Sequence, residues 1–410
     1  MDTLSSLSRD ISPPPTRGLS RANRPGNSRQ TKSSDQIAPH STEPRSAAIE
    51  AGKARIRDHL RYFADHLLGA TRPAIPTTPR LPISDFRALY TRNQHAFGHH
   101  FVIHQHDHPV SGVHYDLRLQ FSESSAVSWA VPYGMPGNAN SIRPNRMAIE
   151  TRVHNLWNNL IESASHATGS LLIWDTGEYE VLPSRKVRRQ AATDDETSDC
   201  SKSDSDSRSA SKKLSASFRA RHIRLRLHGT RLPPQYTVNL RLPSANNRER
   251  QPDKSKHKRR RIDAKSVRKK VTRNIETDSD DGLTEKPGTA QVEDTYESQQ
   301  ANQAAVASDP ENDTDPEYIR ATNAYPGATN TIGSVHQRHW FLTLDRPNSG
   351  FRRSTSILDK ESWTGDWEPF HVLGRDVECS VITGRLAGDI MEDEGVQGFV
   401  GRHGWRGIVE

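Results

Sequence analysis

Residues 101–121 read FVIHQHDHPVSGVHYDLRLQF, and the alternation in this stretch decides the fold. Strand side chains point in turn to opposite faces, so Val113, Tyr115, Leu117, Leu119 and Phe121 line one face while His114, Asp116 and Arg118 share the other. So regular an apolar face is a core face. The polar face then looks into a cleft or onto solvent, and an imidazole, a carboxylate and a guanidinium side by side are an unusual load for a purely structural strand. His104 and His106 repeat the alternation one strand earlier, across a Pro109-Val110-Ser111-Gly112 turn that reads as a hairpin connection. Four ligand-type groups are expected to converge.

Outward from this hairpin, residues 85–183 are dense in aromatic and β-branched groups, with strands expected at 100–106, 113–121, 126–132, 146–151 and 169–175. Two more alternating runs in 222–242 suggest another hairpin, and HWFLTL at 339–344 supplies a further strand. Short strands separated by turn signals point to an antiparallel barrel or sandwich. The last strand can close the same sheet despite a long intervening segment, because loop-closure entropy rises only slowly with length. Ahead of the strands, Ile56, Leu60, Phe63 and Leu67 recur at helical spacing, so one amphipathic helix is expected over 46–68, stopped by Gly69 and docked on the sheet.

Only 32% of the 410 residues are hydrophobic, too few for folded structure throughout. The reading divides the chain into a disordered region 1–45, the helix and a linker at 46–80, and a β-domain at 81–243 holding a disordered insertion at 184–215. A disordered basic and acidic insertion follows at 244–335, then a final strand and connection at 336–375. The tail 376–410 reads as an appendage with a helix-like run at 380–393. No run of about 18 apolar residues or apolar leader is present, so a soluble intracellular protein with no membrane association is expected. Cys200 and Cys379 stand far apart, which supports neither a disulfide framework nor a thiolate zinc site. A metal would have to use His and carboxylate. The net charge of +7 is concentrated in KSKHKRRR at 254–261 and in Lys265, Arg268, Lys269 and Lys270. Such paired basic clusters suit nuclear import or contact with a polyanion, against the plainer reading of a solvated linker.

A His from one strand with a His and an Asp from the next offers three N/O ligands and leaves positions open, as catalytic metal sites do. Mn²⁺, Zn²⁺ or Fe²⁺ would all suit it. Arg118 beside such a centre would repel the metal unless an anion lay between them, and a phosphate is the natural anion. His154 offers a second phosphate contact or a proton for a leaving oxygen. Against this, any one of these histidines could be an ordinary hydrogen-bonding residue, and Asp116 with Arg118 could be a plain ion pair. The pair His114/Asp116 completed by His154 also describes the facial triad of non-haem iron oxygenases, a rival chemistry that leaves Arg118 and His106 without a task.

Several blocks in order, FVIHQH, HYDLRL, SWAVP at 128–132 with Gly134 and Pro136, RMAIETRVH at 146–154, GSLLIWDTGEYE at 169–180, LHGTRL at 227–232 and HWFLTL, resemble the 3′-phosphoesterase domain of bacterial DNA ligase D. The resemblance covers about 150 to 190 residues, the size of one compact domain. It implies a mainly β fold, a small antiparallel β-barrel with flanking helices, interrupted here by long disordered insertions. It also implies removal of 3′-phosphates or 3′-ribonucleotides from DNA ends with Mn²⁺ as the usual metal. By motif position His106, His114 and Asp116 would hold the metal, Arg118 the scissile phosphate, and His154 the same phosphate or a proton. The chain departs from the pattern in several places. The hairpin is two residues longer, which leaves His108 as an alternative to His106; His104 replaces a Gln or Glu; Arg152 and Asn158 stand where an acid and a Tyr are usual; the Gly-rich loop before the GSLLIWD strand is shortened; and only Ser84-Asp85-Phe86 echoes an upstream Arg-Asp-Phe.

The sequence therefore leads to a nuclear, manganese-dependent hydrolase of DNA or RNA 3′ ends in DNA repair, with a repair ligase or polymerase in trans as a candidate partner. A non-catalytic nucleic-acid-binding scaffold that uses residues 254–270 is the alternative.

Overall fold

The computed structural model describes residues 45–50, 54–183, 209–247, 316–355 and 361–408. Eight strands close into an antiparallel barrel. In the order around the wall they are β1 (His100–His108), β2 (Gly112–Gln120), β3 (Ser125–Val131), β4 (Asn145–Glu150), β10 (His339–Leu344), β9 (Thr237–Arg241), β8 (His222–Gly229) and β7 (Gly169–Val181), with β7 paired back onto β1. Two short strands, β5 (His154–Asn155) and β6 (Ser163–Ser165), pair onto β3 and β7. Closure removes the exposed sheet edges that a sandwich of this composition would have to protect. The late strand β10 joins the same sheet, as expected for HWFLTL, and its place there is between β4 and β9.

One core fills the barrel, and every wall strand contributes alternate residues to it. Tyr115, Leu117 and Leu119 of β2 meet Trp129 of β3, Leu225 of β8, Leu240 of β9 and Trp340 of β10 there, all with no exposed surface. Trp129 and Trp340 pack edge to face, with ring centres 5.7 Å apart. The β1–β2 hairpin turns at residues 109–111 into Gly112, whose φ of +74° is the left-handed conformation that glycine adopts without strain. Register sets His104 opposite Asp116 and His106 opposite His114. The polar residues of both strands therefore lie together on the barrel's outer surface.

That outer surface is covered by helices. The single helix expected over 46–68 is instead two, α1 (Ser46–Glu50) and α2 (His59–Gly69), because the Asp58 carboxylate accepts the backbone N–H of Arg61 at 2.9 Å and starts a new helix there. Phe63 and Leu67 of α2 and Phe86 of α3 (Ile83–Asn93) form a second core with Val102, Leu160, Leu171 and Ile173.

Structured residues extend into both tracts read as disordered insertions. Residues 184–208 and 248–315 lie outside the described residues, and with them the basic clusters, as does the region 1–44. Residues 210–219, however, form α4 (Ala210–Arg219), capped by Ser209, whose Phe218 packs against both Trp129 and Trp340. Residues 316–322 form α5 (Pro316–Thr322), and Ala324, Ala328 and Ile332 beyond it are buried. A few apolar residues at the ends of these polar tracts suffice to anchor them. The tail read as an appendage is also built into the body. The backbone N–H of Val381 donates to the Ile173 carbonyl at 3.0 Å, and Arg385 pairs with Glu162 at 2.9 Å with both side chains fully buried. Its helix, α6 (Ala387–Asp393), is shorter than the run 380–393, since residues 380–386 form turns around Gly384. A two-stranded ribbon, β11 (Arg352–Thr355) with β12 (Glu361–Thr364), was not anticipated. Among the described residues no helix is long and apolar enough to cross a membrane.

Candidate functional site

Three of the ligand-type groups meet on the outer face of the hairpin. Among the described residues, His106, His114 and Asp116 form the one group of three whose donor atoms all lie within 4.8 Å of one another. His114 Nε2 is 3.5 Å from Asp116 Oδ1, and His106 Nδ1 is 3.7 Å from Asp116 Oδ2. These separations are too long for good hydrogen bonds and suit groups arranged about a common centre.

The backbone decides which nitrogen of each ring faces that centre. His106 Nε2 lies 2.8 Å from the Thr168 carbonyl and His114 Nδ1 lies 2.9 Å from the Gly112 carbonyl. A carbonyl only accepts, so in the neutral rings those two nitrogens carry the protons. Lone pairs remain on His106 Nδ1 and His114 Nε2, the atoms turned toward Asp116, and a carbonyl holding the far nitrogen is the usual support for a histidine that binds a metal. The donor set thus fits a divalent cation. Two imidazoles and one carboxylate suit Mn²⁺, Zn²⁺ or Fe²⁺ without choosing between them.

The neighbouring histidines are used differently. His104 shares the face but is fully buried with Nε2 3.2 Å from the Ile161 carbonyl, so the expected convergence of four groups is a convergence of three. His108 accepts the backbone N–H groups of Val110 and Ser111 on Nδ1, both at 3.2 Å, which commits its ring to the turn. His106, not His108, is in the three-residue group. His154 is outside it as well, although it lines the same cavity.

Charge and burial set the protonation states. Burial pushes the Asp116 carboxyl up, but His114, His106 and Arg118 around it prevail and hold it far below the usual carboxylate range. Burial lowers His106, yet its contact with Asp116 and the bond to the Thr168 carbonyl outweigh that and raise it above 6.5. His114 is lowered, mainly by burial. His154 falls well below 6.5 through burial and then through the charge of Arg118, so it is neutral at pH 7. His108 is pushed down to about 3, first by burial and then by His106 and His114.

Arg118 is the under-used group. It is 4% exposed, its Nη2 is 3.4 Å from Asp116 Oδ2, its Nη1 is 3.4 Å from the Asn158 carbonyl, and its buried Nε has no partner. A guanidinium has five donors, and burying them on two long contacts is costly unless something else accepts from them. The cavity in front of it, about 570 Å³, is where that acceptor would sit.

The walls of this cavity come mostly from residues that sequence reasoning did not connect with it. Glu50 and His59 enter from the N-terminal arm, with His59 stacked on Trp157 at 4.4 Å. Tyr325, from the segment after the second insertion, lies with its ring 4.7 Å from that of His154 and under the guanidinium of Arg152 at 5.9 Å. Arg402, Trp405 and Arg406 reach in from the tail. No periodic signal marks them as site residues: Glu50 and His59 stand at the ends of α1 and α2, the others in irregular segments, and all are brought in by tertiary contacts. Of the departures noted in the sequence, two line the cavity: Asn158 offers its backbone carbonyl to Arg118, and Arg152 stacks on Tyr325.

The fold and the site together define a closed β-barrel that carries a His/His/Asp group and a buried arginine short of acceptors on its outer wall. Residues 104–239 match the family model described as the DNA ligase D 3′-phosphoesterase domain, so the resemblance carried by the sequence blocks is shown for that part of the chain. Over 87 residues the chain is 37% identical to the multifunctional non-homologous end joining protein LigD of Mycobacterium bovis, covering 20% of this chain and 11% of that protein. The multifunctional non-homologous end joining DNA repair protein LigD of Mycobacterium tuberculosis matches to the same extent, and the multifunctional non-homologous end joining protein LigD of Mycolicibacterium smegmatis is 34% identical over 84 residues, covering 20% and 10%. The chain thus spans about a tenth of the length of the curated relatives it matches.

Proposed function

We propose that this protein is a metal-dependent phosphoesterase that processes the 3′ ends of DNA in end repair, removing a 3′-phosphate or a 3′-ribonucleotide. The observation that carries the reading is the buried Arg118 guanidinium, short of acceptors, facing the same cavity as His106, His114 and Asp116. The match to the ligase D phosphoesterase domain supports the same substrate class. His106 Nδ1, His114 Nε2 and Asp116 would hold the metal, Mn²⁺ by analogy with the resembled family. When bound, such a cation supplies Lewis-acid polarisation of a phosphoryl oxygen and lowers the pKa of water.

The chain's own groups account for the rest. Arg118 holds the phosphate oxygens through its free donors and offsets the charge that builds on them in the transition state. Asp116 keeps that guanidinium aimed into the cavity. His154, neutral at pH 7, accepts a hydrogen bond from a protonated phosphate oxygen, or donates its ring N–H to an unprotonated one without giving up the proton. Trp157 and Tyr325 wall the cavity with aromatic surface suited to the sugar and base of the terminal nucleotide.

The oxygenase alternative requires His154 as third ligand, whereas the three-residue group uses His106. The scaffold alternative rests on residues 254–270, outside the described residues. Nuclear residence, read from those same residues, and a ligase or polymerase acting in trans belong to the proposal. A labelled primer–template ending in a 3′-phosphate or one ribonucleotide, incubated with and without Mn²⁺, tests it. Trimming that requires the metal and vanishes in His114→Ala is the expected result. No trimming by folded, Mn²⁺-loaded protein overturns the catalytic reading.

A further inference from the structure

The cavity is larger and more cationic than one phosphate requires. From Gly112 to Arg118 the floor strand runs about 20 Å at a rise of roughly 3.4 Å per residue. Five arginines line the cavity, Arg55, Arg118, Arg152, Arg402 and Arg406, against two carboxylates, Glu50 and Asp116. Asp116 is already engaged with Arg118, His106 and His114. Such an excess inside a walled cleft focuses a positive potential and draws a polyanion rather than a single small anion.

Two of these arginines stand on a segment with a particular construction. The tail after α6 runs back across the hairpin, and residues 401–408 form an arm pinned at several points. Trp405 Nε1 donates to the Pro132 carbonyl at 2.7 Å, its ring lies 6.4 Å from that of the buried Tyr115, and the His371 ring meets the Ile408 carbonyl. Gly374, at φ +90°, lies beneath the indole, where a Cβ would come 2.4 Å from a ring carbon. A side chain there would push the arm off. Arg402 packs on Gly112, where a Cβ would stand 3.3 Å from Arg402 Cβ. Gly112 is the residue whose carbonyl orients His114. The arm is thus fixed to the barrel at the metal end of the cavity. Yet Arg402 and Arg406 are exposed and have no carboxylate partner among the described residues. An arm held in place by a half-buried tryptophan, with two exposed arginines that meet no carboxylate among the described residues, is built to present them.

We propose that this C-terminal arm, which lies outside the matched domain, is a backbone-binding subsite: Arg402 and Arg406 grip phosphodiester groups of the nucleic-acid strand next to the phosphate held by Arg118. It deepens the phosphoesterase reading, on which it rests for what occupies the centre of the cavity. Planar guanidinium groups match phosphate oxygens in pairs and take no account of base identity, so the arm confers a preference for a polymer end over a mononucleotide without sequence preference.

The test is fluorescence anisotropy on the full chain in EDTA, which prevents turnover, with a 3′-phosphorylated single-stranded 12-mer over a KCl series and a 3′-mononucleotide as competitor. Wild type should bind the 12-mer far more tightly than the mononucleotide. Arg402→Ala with Arg406→Ala should weaken 12-mer binding about tenfold and flatten the log affinity against log salt slope by about 1.4, the loss expected for two single-strand phosphate contacts. Arg402→Lys with Arg406→Lys, which keeps the charges, should keep the slope. An unchanged slope and affinity in the alanine variant overturns the proposal, as does an equal loss in the lysine variant, which would mark a structural role. The two readings fail separately. Binding that behaves as stated without any Mn²⁺-dependent trimming removes the phosphoesterase and leaves the arm; trimming with an unaltered KM for the 12-mer in the alanine variant removes the arm and leaves the phosphoesterase.

Discussion

The two faces of β2 are almost equally buried and do opposite things. Inward, Tyr115, Leu117 and Leu119 are fully enclosed and satisfied by packing, and the Tyr115 hydroxyl donates to Glu378 at 2.5 Å. Outward, Asp116 and Arg118 are only 6% and 4% exposed, yet the Arg118 Nε has no partner and the contacts around Asp116 are long. Burial is therefore not what separates core from site in this barrel. On this strand the difference is chemical: the inward side chains are apolar or, at Tyr115, hydrogen-bonded, whereas the outward charged ones leave donors and lone pairs for a ligand.

That contrast breaks most sharply in a pair of adjacent substitutions. Asp116→Ala should cost about a thousandfold or more in metal-dependent turnover, the equivalent of several kcal/mol of metal-derived transition-state stabilisation. Leu117→Ala, one residue on, should instead destabilise the fold by about 2 to 5 kcal/mol through a cavity in the barrel core. Its remaining folded protein should still bind Mn²⁺. Denaturant melts and Mn²⁺ titrations of the two variants measure both halves, and a Leu117→Ala protein with normal stability and lost metal binding would erase the distinction.

A smaller effect is expected at Arg118. Replacement by Ala should lower kcat/KM on a 3′-phosphate end about a hundredfold, as loss of a charged donor to the reacting oxygens does elsewhere. Lys should restore little of it, because one ammonium cannot reproduce the guanidinium fork. Full rescue by Lys would mean that Arg118 acts as a bare charge.

The smallest effect is on pH. His106 is held protonated to a pH above 6.5 by Asp116 and must lose that proton before Nδ1 can bind a metal. Mn²⁺ affinity should therefore be flat above the raised value and fall about tenfold per unit as pH drops below it. In the metal-free protein the sign is reversed for stability: a raised histidine contributes most below its unfolded value of 6.5, and the contribution is lost as pH rises through the folded value. Calorimetry in buffers of different ionisation enthalpy should detect proton release on Mn²⁺ binding near pH 6. No release would place His106 outside the metal's ligands.

Much of this was legible in the chain. The alternation in 101–121, 222–242 and 339–344 marked wall strands of the barrel, since a period of two is a local property of the backbone. His106, His114, Asp116 and Arg118 shared a face for the same reason. The helices α3 and α4 were not anticipated because their short apolar stripes sit in polar or proline-rich surroundings. Tyr325, Arg402 and Trp405 were invisible as site residues, since nothing in their neighbours' pattern says where a loop will fold back.

What the sequence by itself determined was therefore the strand faces, the residue types on the outer wall, and a resemblance specific enough to suggest a chemistry. The tertiary structure alone decided that His106 joins the group while His104 and His108 turn away to the Ile161 carbonyl and the hairpin turn. It alone roofed the polar face with the N-terminal arm, the Tyr325 segment and the C-terminal arm. The physical reason is range: side-chain alternation is fixed by neighbouring residues, whereas ring orientation and enclosure depend on contacts such as Trp405 to Pro132, between groups 273 positions apart in the chain.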